Sequence, residues 1–110
     1  MTTVKRIAQV IKLCPEKEGV YKQLHANPWK AVSEKITDCN IRNYSIYLYG
    51  DTLFSYFEYV GEDFDADMKK MAEHEETRLW WSLTDPCQRK VEDAGEDEWW
   101  HNIEEVFHQD

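Results

Sequence analysis

Tyr21, His25 and Trp29 recur every fourth residue in the stretch Tyr21-Lys22-Gln23-Leu24-His25-Ala26-Asn27-Pro28-Trp29. On a helix that spacing stacks three side chains along one face, one turn apart. An imidazole exchanges a proton near neutral pH, a phenol donates or accepts a hydrogen bond, and an indole offers a flat apolar wall. Together they are equipped for acid–base work on a small molecule held against aromatic rings. A plainer account also exists, since any helix packed on a sheet carries large residues at this spacing and a single His there is commonly structural. Pro28 bears on the same point. A proline inside a helical pattern removes a backbone hydrogen bond, so Trp29 is expected to begin a second segment.

Other residues with chemical potential lie further along. Tyr44 sits near the start of a strand-like run, where a tyrosine is ordinary by propensity. Glu58 lies between Phe57 and Tyr59 in the next run; it has the chemistry of a general base, and an edge residue facing water is the plainer reading. Trp80 and Trp81 are adjacent, and neighbours on a helix point about 100° apart, so one can face the core and the other a pocket. Trp99-Trp100, beside an acidic loop, is suited to sealing a dimer edge or a pocket rim. His74, His101 and His108 have neither the i,i+4 spacing nor the cysteine pairs of a metal site. No glycine-rich phosphate loop, GxSxG or HExxH occurs. Any chemistry therefore runs on His, Tyr and carboxylates, with no cofactor or metal expected.

The elements that must position these residues follow from patterning. A chain of 110 residues is expected to form one domain, 1–110, able to bury about 60–70 % of its unfolded surface. Residues 6–13 carry hydrophobes on both faces, as in a strand covered on both sides. Cys14-Pro15-Glu16-Lys17-Glu18 suits a first helical turn, and the helix continues through Val20, Leu24 and, past Pro28, Val32. Residues 41–49 alternate, with Tyr44, Ile46 and Leu48 on one face and Ser45, Tyr47 and Tyr49 on the other. Gly50-Asp51 turns the chain into a third strand over 53–60. Asp63 or Asp65 caps a helix through Met68, Met71 and Ala72. A further short helix over 77–83 is stopped by Asp85-Pro86, and 103–107 reads as the last strand. The order β-α-β-β-α-β is the split pattern of an α+β, ferredoxin-like fold. Such a sheet has helices on one face only, and a second copy packed sheet to sheet would cover the other.

Bulk properties exclude several functions. A net charge of −9 argues against a nucleic-acid backbone as partner, which needs clustered Lys and Arg. No apolar run of about 18 residues is present to span a membrane, and residues 1–6 lack the apolar stretch of a signal peptide. Cys14, Cys39 and Cys87 are odd in number and have no CxxC spacing, which points to free thiols in a reducing compartment, by default the cytoplasm.

Four motifs taken together resemble the L-rhamnose mutarotase family: Tyr21-x-x-x-His25-x-x-x-Trp29, Asn43-Tyr44-Ser45-Ile46-Tyr47, the Trp80-Trp81 pair, and the ending Glu104-Glu105-Val106-Phe107-His108. They occur in the family's order and cover the chain from Lys5 onward. The resemblance implies a dimeric α-β barrel built on a ferredoxin-like protomer, with His25 as proton donor and Tyr21, Tyr44, Trp80 and Trp81 holding a monosaccharide. It implies an isomerase that interconverts the anomers of a 6-deoxy-L-hexose, L-rhamnose first. The family commonly shows Trp-Pro after the His, where this chain has Pro28-Trp29. The stretches 40–44 and 56–59, Asp63-Phe64-x-Ala66-Asp67-Met68, and Trp99-Trp100 look like a branch that serves L-fucose or another sugar. Two other readings fit the same architecture. One is a cofactor-free monooxygenase or haem-degrading enzyme; the other is a non-catalytic dimeric binding module.

Overall fold

A computed structural model describes residues 3–110; Met1 and Thr2, part of the N-terminal stretch considered above, lie outside the described residues. The first strand, β1 (Lys5–Leu13), leads through a 3-10 turn at Pro15–Lys17 into α1 (Glu18–Ala26). Pro28 then separates α1 from α2 (Lys30–Asp38), because a proline nitrogen cannot donate within a helix. Strands β2 (Ile41–Tyr49) and β3 (Thr52–Tyr59) form a hairpin. Gly50 turns it at φ +62°, a conformation glycine adopts without steric cost. Helices α3 (Phe64–Glu73) and α4 (Glu75–Thr84) follow, then a 3-10 turn at Asp85–Cys87, β4 (Gln88–Arg89) and β5 (His101–Ile103). No helix among the described residues is long and apolar enough to cross a membrane.

The strands form one curled antiparallel sheet in the order β2-β3-β1-β4, with β5 also pairing β1. This is the strand order expected of a ferredoxin-like α+β fold. The last strand differs from expectation. It covers His101–Ile103, not 103–107, and a second short strand, β4, shares that edge of β1. Both are held by pairing to β1 over a few residues, too short for alternation to reveal them. Glu58 also differs: β3 lies between β2 and β1, so Glu58 is on a central strand, where Asn43 and Tyr56 donate to its carboxylate at 2.8 Å each.

Register decides which side chains face the helices. Ile7, Gln9 and Ile11 of β1 oppose Phe57, Ser55 and Leu53 of β3 on the inward face, Leu13 opposes Gln88 of β4, and Tyr59 extends the β3 row. On β2, Arg42 pairs with Glu58 but Ser45 with Tyr56, so Asn43 and Tyr44 together oppose Phe57 in a β-bulge. Asn43 takes φ +53°, in the left-handed region that asparagine tolerates better than most residues. The extra residue puts both Ile41 and Tyr44 on the inward face, and the Tyr44 ring meets Phe57 edge-on at 5.7 Å. The outward face leaves Tyr47 64 % and Tyr49 73 % exposed.

The core divides in two. Ile11, Leu13, Tyr21, Leu53 and Cys87 form one cluster, and Cys39, Ile41, Phe57 and Met71 the other. Each fully buried aliphatic side chain contributes about 1.5–3 kcal/mol. A polar clasp ties α3 to the corner between α2 and β2. The Asp67 carboxylate accepts from Asn40 Nδ2 at 3.0 Å and from the Tyr59 hydroxyl, and Tyr59 Oη accepts from the Asp63 backbone N–H. Gly61 is required beside it, since a Cβ there would collide with the Tyr59 ring and the Asn40 amide. Asp63 caps α3, accepting from the Ala66 N–H at 3.0 Å. Replacing Asp63 with Ala is expected to lower stability by about 1 kcal/mol, read as a lower urea midpoint at unchanged slope.

Candidate active site

Between the inward face of the sheet and the helices opens a cavity of about 1010 Å³, bordered by both core clusters. Tyr21, His25, Tyr44, Trp80 and Trp81, the five residues singled out from the sequence, all line it. Tyr21 and His25 come from α1, with ring centroids 4.3 Å apart. His25 Nδ1 lies 2.9 Å from the Tyr21 carbonyl oxygen, one turn back. A carbonyl only accepts, so Nδ1 carries the hydrogen and Nε2 is left as the nitrogen that can gain or lose a proton.

As expected from Pro28, the row does not run straight through Trp29. The helix ends at Ala26, and Trp29 starts a new segment as the residue before α2. The third place along the row is filled from α4 instead. Trp80 stands edge-on to His25 at 5.4 Å, and Trp29 packs edge-on behind Trp80 at 5.3 Å. Trp80 is 7 % and Trp81 36 % exposed, as expected of neighbours that project in different directions from one helix.

Several cavity residues escaped the sequence reading. Gln88 is buried; its Nε2 donates to the Tyr21 hydroxyl at 3.1 Å, and its Oε1 accepts from Trp99 Nε1 at 3.0 Å. This bridge joins α1 to the segment that carries Trp99-Trp100, and both indoles line the cavity. Gln9, whose amide donates to Asn102 at 2.9 Å, lines it from mid-sheet. Among the described residues Asp85 is the lone carboxylate on the wall. Its Asp-Pro step read as a helix stop, which concealed it. A polar residue at an inward strand position was the available signal for Gln9, and nothing local marked Gln88.

Desolvation shapes the site's electrostatics. Burial pushes the Tyr21 phenol well above its ordinary range, and the neighbouring Tyr44 adds to the effect. Tyr44, whose exposed surface opens into the cavity, is raised to about 12 by desolvation. Burial also raises the Asp85 carboxyl, with the nearby Trp99 indole pulling partly against it.

A profile of the L-rhamnose mutarotase family matches residues 6–109. The chain belongs to that family. An L-rhamnose mutarotase of Shouchella clausii is 30 % identical over 105 residues, covering 94 % of this chain and 96 % of that one. A UPF0734 protein of Dictyostelium discoideum is 34 % identical over 111 residues, covering 94 % and 88 %. Among solved structures, an L-rhamnose mutarotase from Formosa agariphila superimposes with a TM-score of 0.73 at 24 % identity, over 96 % of this chain and 99 % of that one, a likeness of fold. As a member of the L-rhamnose mutarotase family the chain is an isomerase that interconverts sugar anomers, and the family's substrate is a monosaccharide.

The segment leading into Trp99 at the cavity rim is held by Glu98. Its carboxylate accepts from the Gly95 N–H at 2.8 Å, from His101 Nδ1 at 2.8 Å and from the Asn102 N–H. These bonds lower it from 4.5 to about 2, the Gly95 backbone first. A depressed carboxyl stabilises the fold above its unfolded value and ceases to do so as pH falls through its folded value. Stability should therefore drop between about pH 4.5 and 2, and a Glu98→Gln variant should lose this part of the drop in acid titrations followed by tryptophan fluorescence.

Proposed function

We propose that the chain, acting as one domain, interconverts the α and β anomers of a 6-deoxy-L-hexose, with L-rhamnose as first substrate and L-fucose second. The ring opens by general acid–base catalysis: one group takes the proton of the anomeric hydroxyl while another protonates the ring oxygen, and the roles reverse on closure. His25 is the proton donor. The observation that carries this reading is the hydrogen bond from His25 Nδ1 to the Tyr21 carbonyl within an aromatic-walled cavity. In the imidazolium both ring nitrogens donate; after Nε2 gives up its proton, Nδ1–H still satisfies the carbonyl. The ring can thus cycle without turning.

Tyr21, Tyr44, Trp80 and Trp81 hold the sugar. Aromatic faces suit the C–H face and the methyl group of a 6-deoxy sugar, while a few convergent polar groups take its hydroxyls. Three cysteines, all free, suit a reducing compartment such as the cytoplasm. The protein acts as a homodimer, with Tyr47, Tyr49 and Phe54 on the outward sheet face, all exposed in the single chain, buried against a second copy. Sedimentation equilibrium at micromolar concentration should give twice the chain mass; a monomer there would contradict the sheet-to-sheet pairing.

Saturation-transfer NMR at the anomeric protons of L-rhamnose, L-fucose and other aldoses tests reaction and substrate together. His25→Ala should slow exchange by about 10²-fold or more, with sugar affinity and melting temperature near those of the parent. A normally folded His25→Ala that exchanges anomers at the parental rate would remove His25 from the mechanism.

A further inference from the structure

Opening a sugar ring needs two proton-transfer groups, and the imidazole supplies one. The phenols are poor candidates for the other. Tyr21 is buried with its oxygen committed to Gln88, and both Tyr21 and Tyr44 resist ionisation because burial disfavours the phenolate. Among the described residues the cavity wall holds one carboxylate, Asp85. We propose that Asp85 is the base that takes the proton from the anomeric hydroxyl while His25 delivers one to the ring oxygen, an assignment that rests on the mutarotase reading above.

The placement supports the role. Asp85 opens the 3-10 turn that follows α4, directly after the helix that carries Trp80 and Trp81. The same turn packs against α1, the helix of His25. Pro86 fixes the backbone immediately after it, and the turn's last residue, Cys87, is buried in the core cluster. The carboxylate is thus carried on a rigid corner. The other charged and titratable groups lining its cavity are Tyr21, Lys22 and His25 from α1 and Tyr44 and Tyr47 from β2, with the Trp99 indole on the rim segment. Lys22 Nζ is engaged by Glu18 at 2.9 Å, which leaves His25 as the cationic partner for a carboxylate base.

The protons balance. The Asp85 carboxylate removes H from the C1 hydroxyl, the C1–O5 bond breaks as its electron pair moves to O5, and O5 takes the Nε2 proton of the His25 imidazolium. The aldehyde forms with a neutral pair of catalytic groups. Rotation about C1–C2 presents the other carbonyl face, and the steps reverse to restore carboxylate and imidazolium. Asp85 is an exposed residue at the cavity wall, and the desolvation it meets there raises its carboxyl above an ordinary aspartate, which strengthens it as a base.

Asp85→Asn keeps the size and polarity of the side chain but cannot take the proton. Anomeric exchange of L-rhamnose should fall by about 10²-fold or more with the melting temperature retained. In the parent, kcat/KM should fall on the acid side as Asp85 is protonated, at a pH above that of an ordinary aspartate, and this limb should be absent from Asp85→Asn. A folded Asp85→Asn that exchanges at the parental rate, or that is slow but keeps the acid limb, overturns the assignment. Should Asp85→Asn fail to fold, Asp85→Ala with added formate decides: formate-dependent return of exchange supports a carboxylate base, and no response to formate overturns it. A parent protein that exchanges none of the aldoses sinks the mutarotase reading and this assignment with it. Exchange by the parent and equally by Asp85→Asn sinks the assignment alone.

Discussion

A polar side chain facing inward from the middle of a sheet must find a partner, and it cannot be covered by hydrophobic packing. Gln9 and Ser55 stand opposite one another on β1 and β3, between the Ile7–Phe57 and Ile11–Leu53 pairs. Gln9 satisfies its amide on Asn102, and Ser55 is small, so the space above them is not filled by strand side chains. Protein interiors otherwise pack to crystal-like density. Here the core separates into two clusters with the cavity bordered by both.

The site's walls are held together by contacts between distant parts of the chain. Gln88 and Tyr21 are 67 residues apart, and their hydrogen bond satisfies a phenol that burial would otherwise leave unpaired. The same glutamine accepts from Trp99, so one amide coordinates helix, short strand and rim. The two faces of the sheet are also coupled. Glu58, on the outward side, holds Asn43 in the bulge, and the bulge delivers Tyr44 to the inward side. A carboxylate remote from the cavity therefore shapes its wall.

Asp85 shows how one residue serves folding and chemistry together. Locally, Asp-Pro ends α4 and redirects the chain into β4. In three dimensions the same carboxylate is the one acid that the described residues place on the cavity wall. A helix-stop signal and a site residue are indistinguishable from a dipeptide alone, because the difference lies in what faces it across the fold.

The sequence by itself determined the elements whose signals are local: alternation in β2 and β3, the glycine turn at 50, an aspartate cap at 63 or 65, the break at Pro28, and the i,i+4 pairing of Tyr21 with His25 on one helix. Each depends on backbone sterics or nearest-turn geometry that a few neighbouring residues control. The aromatic and imidazole members of the cavity wall were legible for the same reason, through their spacing and a resemblance spread over the chain. Only the tertiary structure decided that Trp80, not Trp29, completes the row beside His25, that the last strand pairs at His101–Ile103 beside a two-residue β4, and that Gln88 and Asp85 join the wall. Those choices rest on contacts between segments far apart in the chain, where pairing to β1 and the need to satisfy a buried phenol outweigh any local preference.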